Sequence, residues 1–248
     1  MSEEAPSMLT APWKIMPGEE LRLADARITR ESNGDLEACD RYGCASARVP
    51  PERPVYAVPI PAVYRVLPAT PFIYVDFDKR ILVEQGEDYW ITAPFEIEVY
   101  AGDLALIRLS PVKVKYTLIG DVIEGTLARY FKSDAVFDFE DLKHEEHTAI
   151  VRFFVRGSSV LLPGIGFRAA GVEFYVDNKG RIYYPMIEVT VSNGNVSIKT
   201  SNRPPIPGLK PVVLTRYARP KRVLAFTQAY SPSFEMKVDV VKRYLPQP

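Results

Sequence analysis

The chain has 248 residues, of which 47% are hydrophobic and 25% charged, so it has enough apolar surface to fold into a core and is not disordered. Lysine and arginine together number 31, as do aspartate and glutamate, so the overall charge gives no information about the kind of partner. The longest uncharged stretch, 223–234, is too short for a membrane-spanning helix, and the acidic start Ser2-Glu3-Glu4 is unlike an export signal.

Proline is frequent, with 22 residues, whereas asparagine and glutamine together number only eight. Few heat-labile amides and many loop prolines are typical of thermophilic proteins, so we expect a thermophilic source. The chain has two cysteines, too few for a four-cysteine zinc site or for a disulfide scaffold.

Apolar and polar residues alternate with a period of two along much of the chain, which predicts strands with one buried face. The alternation is clearest at 95–100, 112–118 and 234–240. Further predicted strands, rich in β-branched and aromatic residues, are 72–77, 81–84, 89–92, 123–131, 148–156, 172–176, 181–192, 196–200, 212–217 and 223–229. The best helical pattern, 19–28, fits a strand about as well. We therefore expect an all-β fold of antiparallel, sandwich-like sheets.

Cys39 and Cys44 flank Asp40-Arg41-Tyr42-Gly43, a sequence typical of a hairpin turn. Cysteines at the two ends of such a turn are within disulfide reach, with Cα atoms less than about 7 Å apart. Disulfides also occur inside the cells of hyperthermophiles. Two free thiols, or half of a metal site without its remaining ligands, are the alternatives.

Asp76 and Asp78 alternate with apolar neighbours, so both would lie on one face of a strand. Paired carboxylates of this kind perform glycoside hydrolysis. The sequence Asp78-Lys79-Arg80 also fits a polar turn between two strands, which is the interpretation that we favour.

Glu96 and Glu98 form a second alternating pair, in the predicted strand 95–100. Consecutive strands usually lie side by side, so we expect this strand to pair antiparallel with 112–118. The two glutamates would then face Lys113 and Lys115 in a structural charge ladder and would not be catalytic.

The least strand-like stretch is the acidic segment 138–147, which contains both histidines. We interpret it as the connection between two β units, residues 1–141 and 148–248, with one continuous sandwich as the alternative. His144 and His147 have the chemistry of metal ligands, but zincins require a spacing of four on a helix, and no third ligand is identifiable. We therefore expect an exposed connection that binds no metal.

The sequence Gly164-Ile165-Gly166-Phe167-Arg168-Ala169 formally satisfies the dinucleotide-binding pattern. That function requires a helix that starts at the second glycine and meets the pyrophosphate. The next predicted strand begins at residue 172, which leaves no room for a helix. A glycine-rich β turn without a cofactor is the better interpretation.

Residues 189–234 contain seven basic and no acidic residues, whereas 1–40 and 121–146 are acidic. The candidate anion-binding residues are Arg216, Arg219, Lys221 and Arg222. Arginines interleaved with tyrosine can pair with phosphates and stack on bases. A charge match with the acidic segments, within the chain or between subunits, is the interpretation that we favour, because no nucleic-acid motif is recognisable.

Lys115-Tyr116-Thr117-Leu118-Ile119-Gly120, followed by Gly125-Thr126-Leu127-Ala128-Arg129-Tyr130, resembles a pattern in an archaeal family of uncharacterised proteins, catalogued as a domain of unknown function. Residues 58–61 and 93–99 also fit this pattern, and the resemblance covers roughly residues 55–240. It implies an archaeal, cytoplasmic protein. It implies no activity and no functional residue.

The sequence favours a non-enzymatic binding or scaffolding module, since sandwiches commonly serve as interaction modules. We expect no cofactor, and a protein partner or a second copy of the chain in preference to nucleic acid. One alternative is nucleic-acid or polyanion binding through residues 203–222. The other is a β-fold hydrolase, acting on sugars or using a metal at His144 and His147.

Overall fold

The computed structural model describes residues 13–63, 70–120 and 125–212. Within these ranges every regular element is a β-strand, apart from one 3₁₀ turn at Phe139–Asp141. The predicted all-β, sandwich-like fold is therefore confirmed. Among the described residues, none lies in a helix with the length and apolar character needed to cross a membrane. The predicted strands beyond residue 212 lie outside the described residues.

The described ranges contain eighteen strands. In chain order they are β1 (Trp13–Ile15), β2 (Glu20–Leu23), β3 (Ala26–Arg30), β4 (Asp35–Asp40), β5 (Gly43–Arg48), β6 (Val55–Pro61), β7 (Phe72–Val83), β8 (Asp88–Ala101), β9 (Leu104–Leu109), β10 (Lys115–Ile119), β11 (Thr126–Ser133), β12 (Thr148–Gly157), β13 (Val160–Arg168), β14 (Tyr175–Val176), β15 (Ile182–Tyr183), β16 (Ile187–Ser192), β17 (Asn195–Thr200) and β18 (Lys210–Pro211).

These strands form three sheets. The large sheet has the order β1-β6-β8-β12-β15-β14-β18, with β9 added to β8 and the β16–β17 hairpin added to β12. The second sheet has the order β10-β11-β7-β13, and the N-terminal sheet is the meander β2-β3-β4-β5.

Two of the three sheets are mixed, whereas the N-terminal meander is antiparallel throughout, so the expected antiparallel pairing is found for most strand pairs. Strand β11 runs parallel to β7, and β12 runs parallel to β15 and β16. Parallel neighbours need a long crossover between them. Between β7 and β11 the chain supplies one by passing through β8 and β9 of the large sheet before it returns.

One apolar cluster joins the three sheets. Buried members include Ile28 of the N-terminal sheet, Val75 of the second sheet and Val151 of the large sheet. Phe77 of β7 stacks on Phe153 of β12 with ring centroids 6.3 Å apart, so the second sheet packs face to face on the large sheet.

The acidic connection 138–147 does not coincide with a break in the sheets. Strand β12, which follows it, pairs with β8, and β13 pairs with β7. The connection packs on the large sheet through Phe139, whose ring centroid lies 4.9 Å from that of Trp90. Strands from the two predicted units, 1–141 and 148–248, thus share both sheets.

The predicted pairing of 95–100 with 112–118 is wrong. Strand β8 instead turns at Gly102, whose φ of 63° favours glycine, and pairs with β9. The predicted partner, residues 112–118, begins as a loop. Strand β10 starts only at Lys115, and it pairs with β11. Leu104–Leu109 was not predicted as a strand because its sequence, Leu-Ala-Leu-Ile-Arg-Leu, does not alternate.

The carboxylate of Glu96 accordingly faces arginines and not lysines. It forms ion pairs with Arg108 of β9 and with Arg129 of β11, whose side chain is only 3% exposed. Arg129 also donates to the Ser110 hydroxyl oxygen at 3.1 Å, and Arg108 donates to the backbone oxygen of Pro61 at 3.0 Å. The Glu96 network therefore ties the second sheet to the large sheet.

A second buried arginine attaches the N-terminal sheet. Arg30 of β3 is 2% exposed and donates to the backbone oxygens of Ile15, at 2.9 Å, and Arg53, at 2.7 Å. Burial lowers the pKa of Arg30 from its usual value. The carbonyl contacts of Nη1 and Nη2 replace water that this guanidinium loses on folding, whereas its Nε has no hydrogen-bond partner among the described residues.

We expect Arg129→Met to lower the free energy of unfolding by about 3 kcal/mol, because Glu96 then keeps a buried charge with one partner fewer. Urea denaturation monitored by circular dichroism measures the change. Arg22→Met is the control, since Arg22 pairs with Glu20 on an exposed surface, and its midpoint should not move. Equal effects of the two substitutions would contradict the role assigned to the Glu96 network.

Candidate functional site: the tyrosine–aspartate face

Strand β7 presents two faces of opposite character. Ile73, Val75 and Phe77 are buried against the large sheet, whereas the alternate residues Tyr74 and Asp76 are half-buried and Asp78 is exposed. Side chains of a strand alternate between faces, so the two aspartates share the outward side, as the sequence predicted. The prediction of a polar turn at residues 78–80 is wrong, because β7 continues through these residues.

The neighbouring strands add to this outward face. Pairing in register places Tyr130 beside Tyr74, Lys132 beside Asp76, and Lys115 beside Tyr130. Residues directly opposite each other on paired strands lie on the same face. We call this surface the tyrosine–aspartate face, and it comprises Tyr74, Asp76, Asp78, Lys115, Thr117, Ile119, Tyr130, Lys132, Gly164, Gly166 and Arg168.

The floor of the face is made of two glycines in β13. A methyl group on Gly164 would lie 2.8 Å from the Tyr74 hydroxyl oxygen and 2.5 Å from the Val75 backbone oxygen. A methyl group on Gly166 would lie 3.5 Å from Tyr74 Cδ2. Gly164 is therefore required by the Val75 backbone oxygen and the Tyr74 ring, whereas at Gly166 the Tyr74 ring lies at ordinary contact distance. They lie within a strand, which corrects the predicted β turn.

The face is concave. A methyl group on Gly166 would lie 2.9 Å from Ile119 Cδ1, although β13 and β10 are opposite edges of the second sheet. In a flat four-stranded sheet the edges are about 14 Å apart, beyond the reach of an isoleucine. The sheet must therefore curl toward this face, and Ile119 closes one end of it.

Hydrogen bonding fixes the second tyrosine. Tyr130 donates its hydroxyl to Asp76 Oδ2 at 2.7 Å. Burial, followed by this bond to a carboxylate, raises the pKa of Tyr130 to about 12, and burial also raises the pKa of Tyr74. Both phenols are neutral near pH 7 and act as hydrogen-bonding groups. The face thus combines aromatic rings, neutral hydroxyls and carboxylates in one concave surface.

A separate groove of about 710 Å³ lies on the N-terminal sheet. Its polar lining comprises Thr29, Glu31, Asp35, Glu37, Ser46 and Arg48. Glu37 pairs with Arg27 at 2.9 Å, and Asp35 pairs with Arg48 at 2.8 Å. Two of its carboxylates are thus already engaged, and no aromatic side chain lines it, so it is the weaker candidate.

Cys39 and Cys44 occupy opposite positions on β4 and β5, with Cα atoms 4.0 Å apart, and are joined by a disulfide. Cys39 is buried and Cys44 is exposed. Arg27 Nη2 lies 3.8 Å from Cys39 Sγ. The bond closes the hairpin formed around Arg41 and Tyr42.

The two histidines do not come together as a ligand pair. His144 Nε2 lies 2.9 Å from the Thr148 backbone oxygen, and His147 Nε2 lies 2.6 Å from Glu145. Both rings are half-buried, which corrects the expected exposure, and burial lowers the pKa of His144. Within the described ranges no group of three or more potential metal ligands occurs.

The predicted anion-binding residues Arg216, Arg219, Lys221 and Arg222 lie outside the described residues. Of the predicted basic tract 203–222, Arg203 and Lys210 are described, and both are exposed.

Sequence analysis missed the two tyrosines of the face. Tyr74 alternates with Asp76, and this spacing was a usable indication. Tyr130 offered none, because its place beside Tyr74 depends on parallel pairing between distant segments.

Residues 22–237 match the family described as protein of unknown function, DUF432. The match covers most of the chain, which therefore belongs to this family, as the resemblance indicated. No curated protein and no solved structure matches the chain. The family description assigns no activity, so a functional proposal has to rest on the geometry of the described residues.

We expect replacement of both cysteines by serine to lower the free energy of unfolding by about 2 kcal/mol, the amount associated with a short closed loop. Thiol titration of the denatured, unreduced protein should find no free thiol, and two after reduction. Two titratable thiols before reduction would show that the bond does not form.

Tyr130 should make stability depend on pH in the alkaline range. Because its pKa is higher in the folded state than the usual 10.0, its contribution is complete below pH 10 and is lost as the pH rises toward 12. The wild type should therefore lose more stability over this interval than Tyr130→Phe in urea titrations. Asp76→Asn should lower the Tyr130 pKa, read from tyrosinate absorbance, while burial keeps it above 10. Identical pH profiles for wild type and Tyr130→Phe would contradict this assignment.

Proposed function

We propose that this member of the DUF432 family is a non-enzymatic binding module and that its ligand surface is the tyrosine–aspartate face. The observation that carries the proposal is the Tyr74 ring, which covers a floor of Gly164 and Gly166 and remains partly exposed. A strand interior gains nothing from two glycines, which weaken it. Here Gly164 makes room for an aromatic platform, and Gly166 makes room for the Ile119 side chain beside it.

The surroundings of Tyr74 support binding. Ligand sites are concave and combine apolar or aromatic walls with a few fixed polar groups. The face is closed at one end by Ile119, and the Tyr130–Asp76 hydrogen bond of 2.7 Å holds its polar groups in place. Such an arrangement is ordered before a ligand arrives, which lowers the entropic cost of binding.

A sugar hydrolase is the second candidate, because Asp76 and Asp78 project from the same side of β7. Alternate Cα atoms of a strand are about 7 Å apart, within the carboxyl separations used by inverting glycosidases. The Asp76 carboxylate already accepts a hydrogen bond from the Tyr130 hydroxyl. Because this carboxylate is engaged within the protein, the arrangement favours ligand binding over catalysis.

Polyanion binding through residues 203–222 has no support from the face itself, where Asp76 and Asp78 follow Tyr74 along β7. It stays a prediction for the basic tract. An archaeal and thermophilic source, a cytoplasmic location and a protein partner also stay predictions. They are based on composition and on the family resemblance.

The test is a fragment screen by two-dimensional amide NMR on the full chain. We expect aromatic and polyhydroxylated fragments to shift amides of β7, β11 and β13, and Tyr74→Leu to abolish these shifts. Phe137→Ala is the matched control, since Phe137 is an exposed aromatic residue, 61% accessible, outside the face. It should leave the shifts unchanged. Fragments that bind elsewhere only, or equally well to Tyr74→Leu, would refute the proposal.

A further inference from the structure

We infer that the tyrosine–aspartate face binds a neutral carbohydrate chain. This inference rests on the proposed function and names its ligand class. Three features of the face lead to it: the mixture of charges, the aromatic platform, and the length of the surface along β7.

The charges on the face are interleaved. Asp76 and Asp78 supply two negative charges, and the same side carries Lys115, Lys132 and Arg168. A polyanion would meet the carboxylates beside the platform, and a cationic ligand would meet the lysines, so either suffers like-charge repulsion. A neutral ligand rich in hydroxyl groups suffers neither. Its hydroxyls can donate to the carboxylates and accept from the ammonium groups.

The platform suits a saturated ring. The face of an aromatic ring carries the negative part of its quadrupole, which attracts the slightly positive C–H groups of a sugar. The phenol hydroxyls of Tyr74 and Tyr130 stay neutral because burial raises the pKa of both. They therefore add hydrogen bonds without adding charge to the site.

The surface is long enough for several sugar rings. Outward residues continue along β7 from Tyr74 to Leu82, at most about 26 Å at the usual rise per residue, with a register shift against β13 between Asp76 and Ile81. At the far end Leu82 lies opposite Leu161 of β13, and each is 52% exposed. This apolar pair offers a second contact for ring faces, whereas Ile119 closes the other end. The geometry favours an extended oligosaccharide over a single sugar.

The experiment compares hexasaccharides of glucose, mannose and xylose with a sulfated hexasaccharide and an oligolysine peptide. Saturation-transfer NMR and calorimetry are used on the full chain. We expect at least one neutral hexasaccharide to bind with an affinity that does not change with salt, in contrast to charged ligands. Tyr74→Leu should weaken this binding by at least about tenfold. Phe137→Ala should leave it unchanged.

Because Tyr74→Leu removes a packed ring, Asp78→Asn provides a second variant at an exposed position that the fold does not need. It should weaken binding of the neutral hexasaccharide while the melting temperature stays constant. Unchanged affinity in both variants would overturn the inference.

The remaining outcomes separate the two proposals. Fragments that bind at the face while no neutral hexasaccharide binds would overturn the carbohydrate inference and leave the binding module intact. Preferential, salt-sensitive binding of the sulfated hexasaccharide or of oligolysine at this face would do the same. Cleavage of a bound neutral hexasaccharide, lost in Asp78→Asn, would support the ligand class and overturn the non-enzymatic function.

Discussion

The half-buried carboxylate of Glu96 holds two sheets in one arrangement, and the candidate site depends on that arrangement. Its partner Arg129 lies in β11, directly before Tyr130. Adjacent residues of a strand point to opposite faces, so the arginine that anchors β11 inward also directs the tyrosine outward. Any slip of this strand by one residue would bury the tyrosine and expose the arginine. The register of β11 and the outward position of Tyr130 are thus fixed by the same ion pair.

The two buried arginines solve the same physical problem in different ways. Arg129 is paired with a carboxylate, and its buried charge is compensated directly. Arg30 relies on backbone oxygens, including those of Ile15 and Arg53, which are dipoles and not charges. The first arrangement joins the second sheet to the large sheet, whereas the second joins the N-terminal sheet to β1 of the large sheet and to the loop that contains Arg53. Each makes its packing specific, because an apolar side chain at either position would tolerate other alignments.

Local sequence was sufficient for several elements, although the strands of the N-terminal meander β2–β5 were not predicted. The alternation in β7 and β8 identified strands, and the spacing of Cys39 and Cys44 identified the hairpin they close. Pairing between strands was not accessible in the same way. Leu104–Leu109 is apolar apart from Arg108 and does not alternate, so the true partner of β8 was overlooked and the lysines near 115 were chosen instead. The two glycines of β13 were interpreted as a turn because the side chains that require them, Tyr74 at Gly164 and Ile119 at Gly166, belong to other strands.

The parallel alignment of β11 and β7 has a consequence for how the chain acquires its structure. Tyr130 and Asp76 are 54 residues apart in sequence, and the glycines beneath Tyr74 come still later. Closing such large loops before any contact is gained slows folding, as in other proteins of high contact order. During synthesis the surface around Tyr74 cannot be complete until β13 has left the ribosome. A ligand of this surface would bind only the finished fold and would therefore raise its resistance to unfolding and proteolysis.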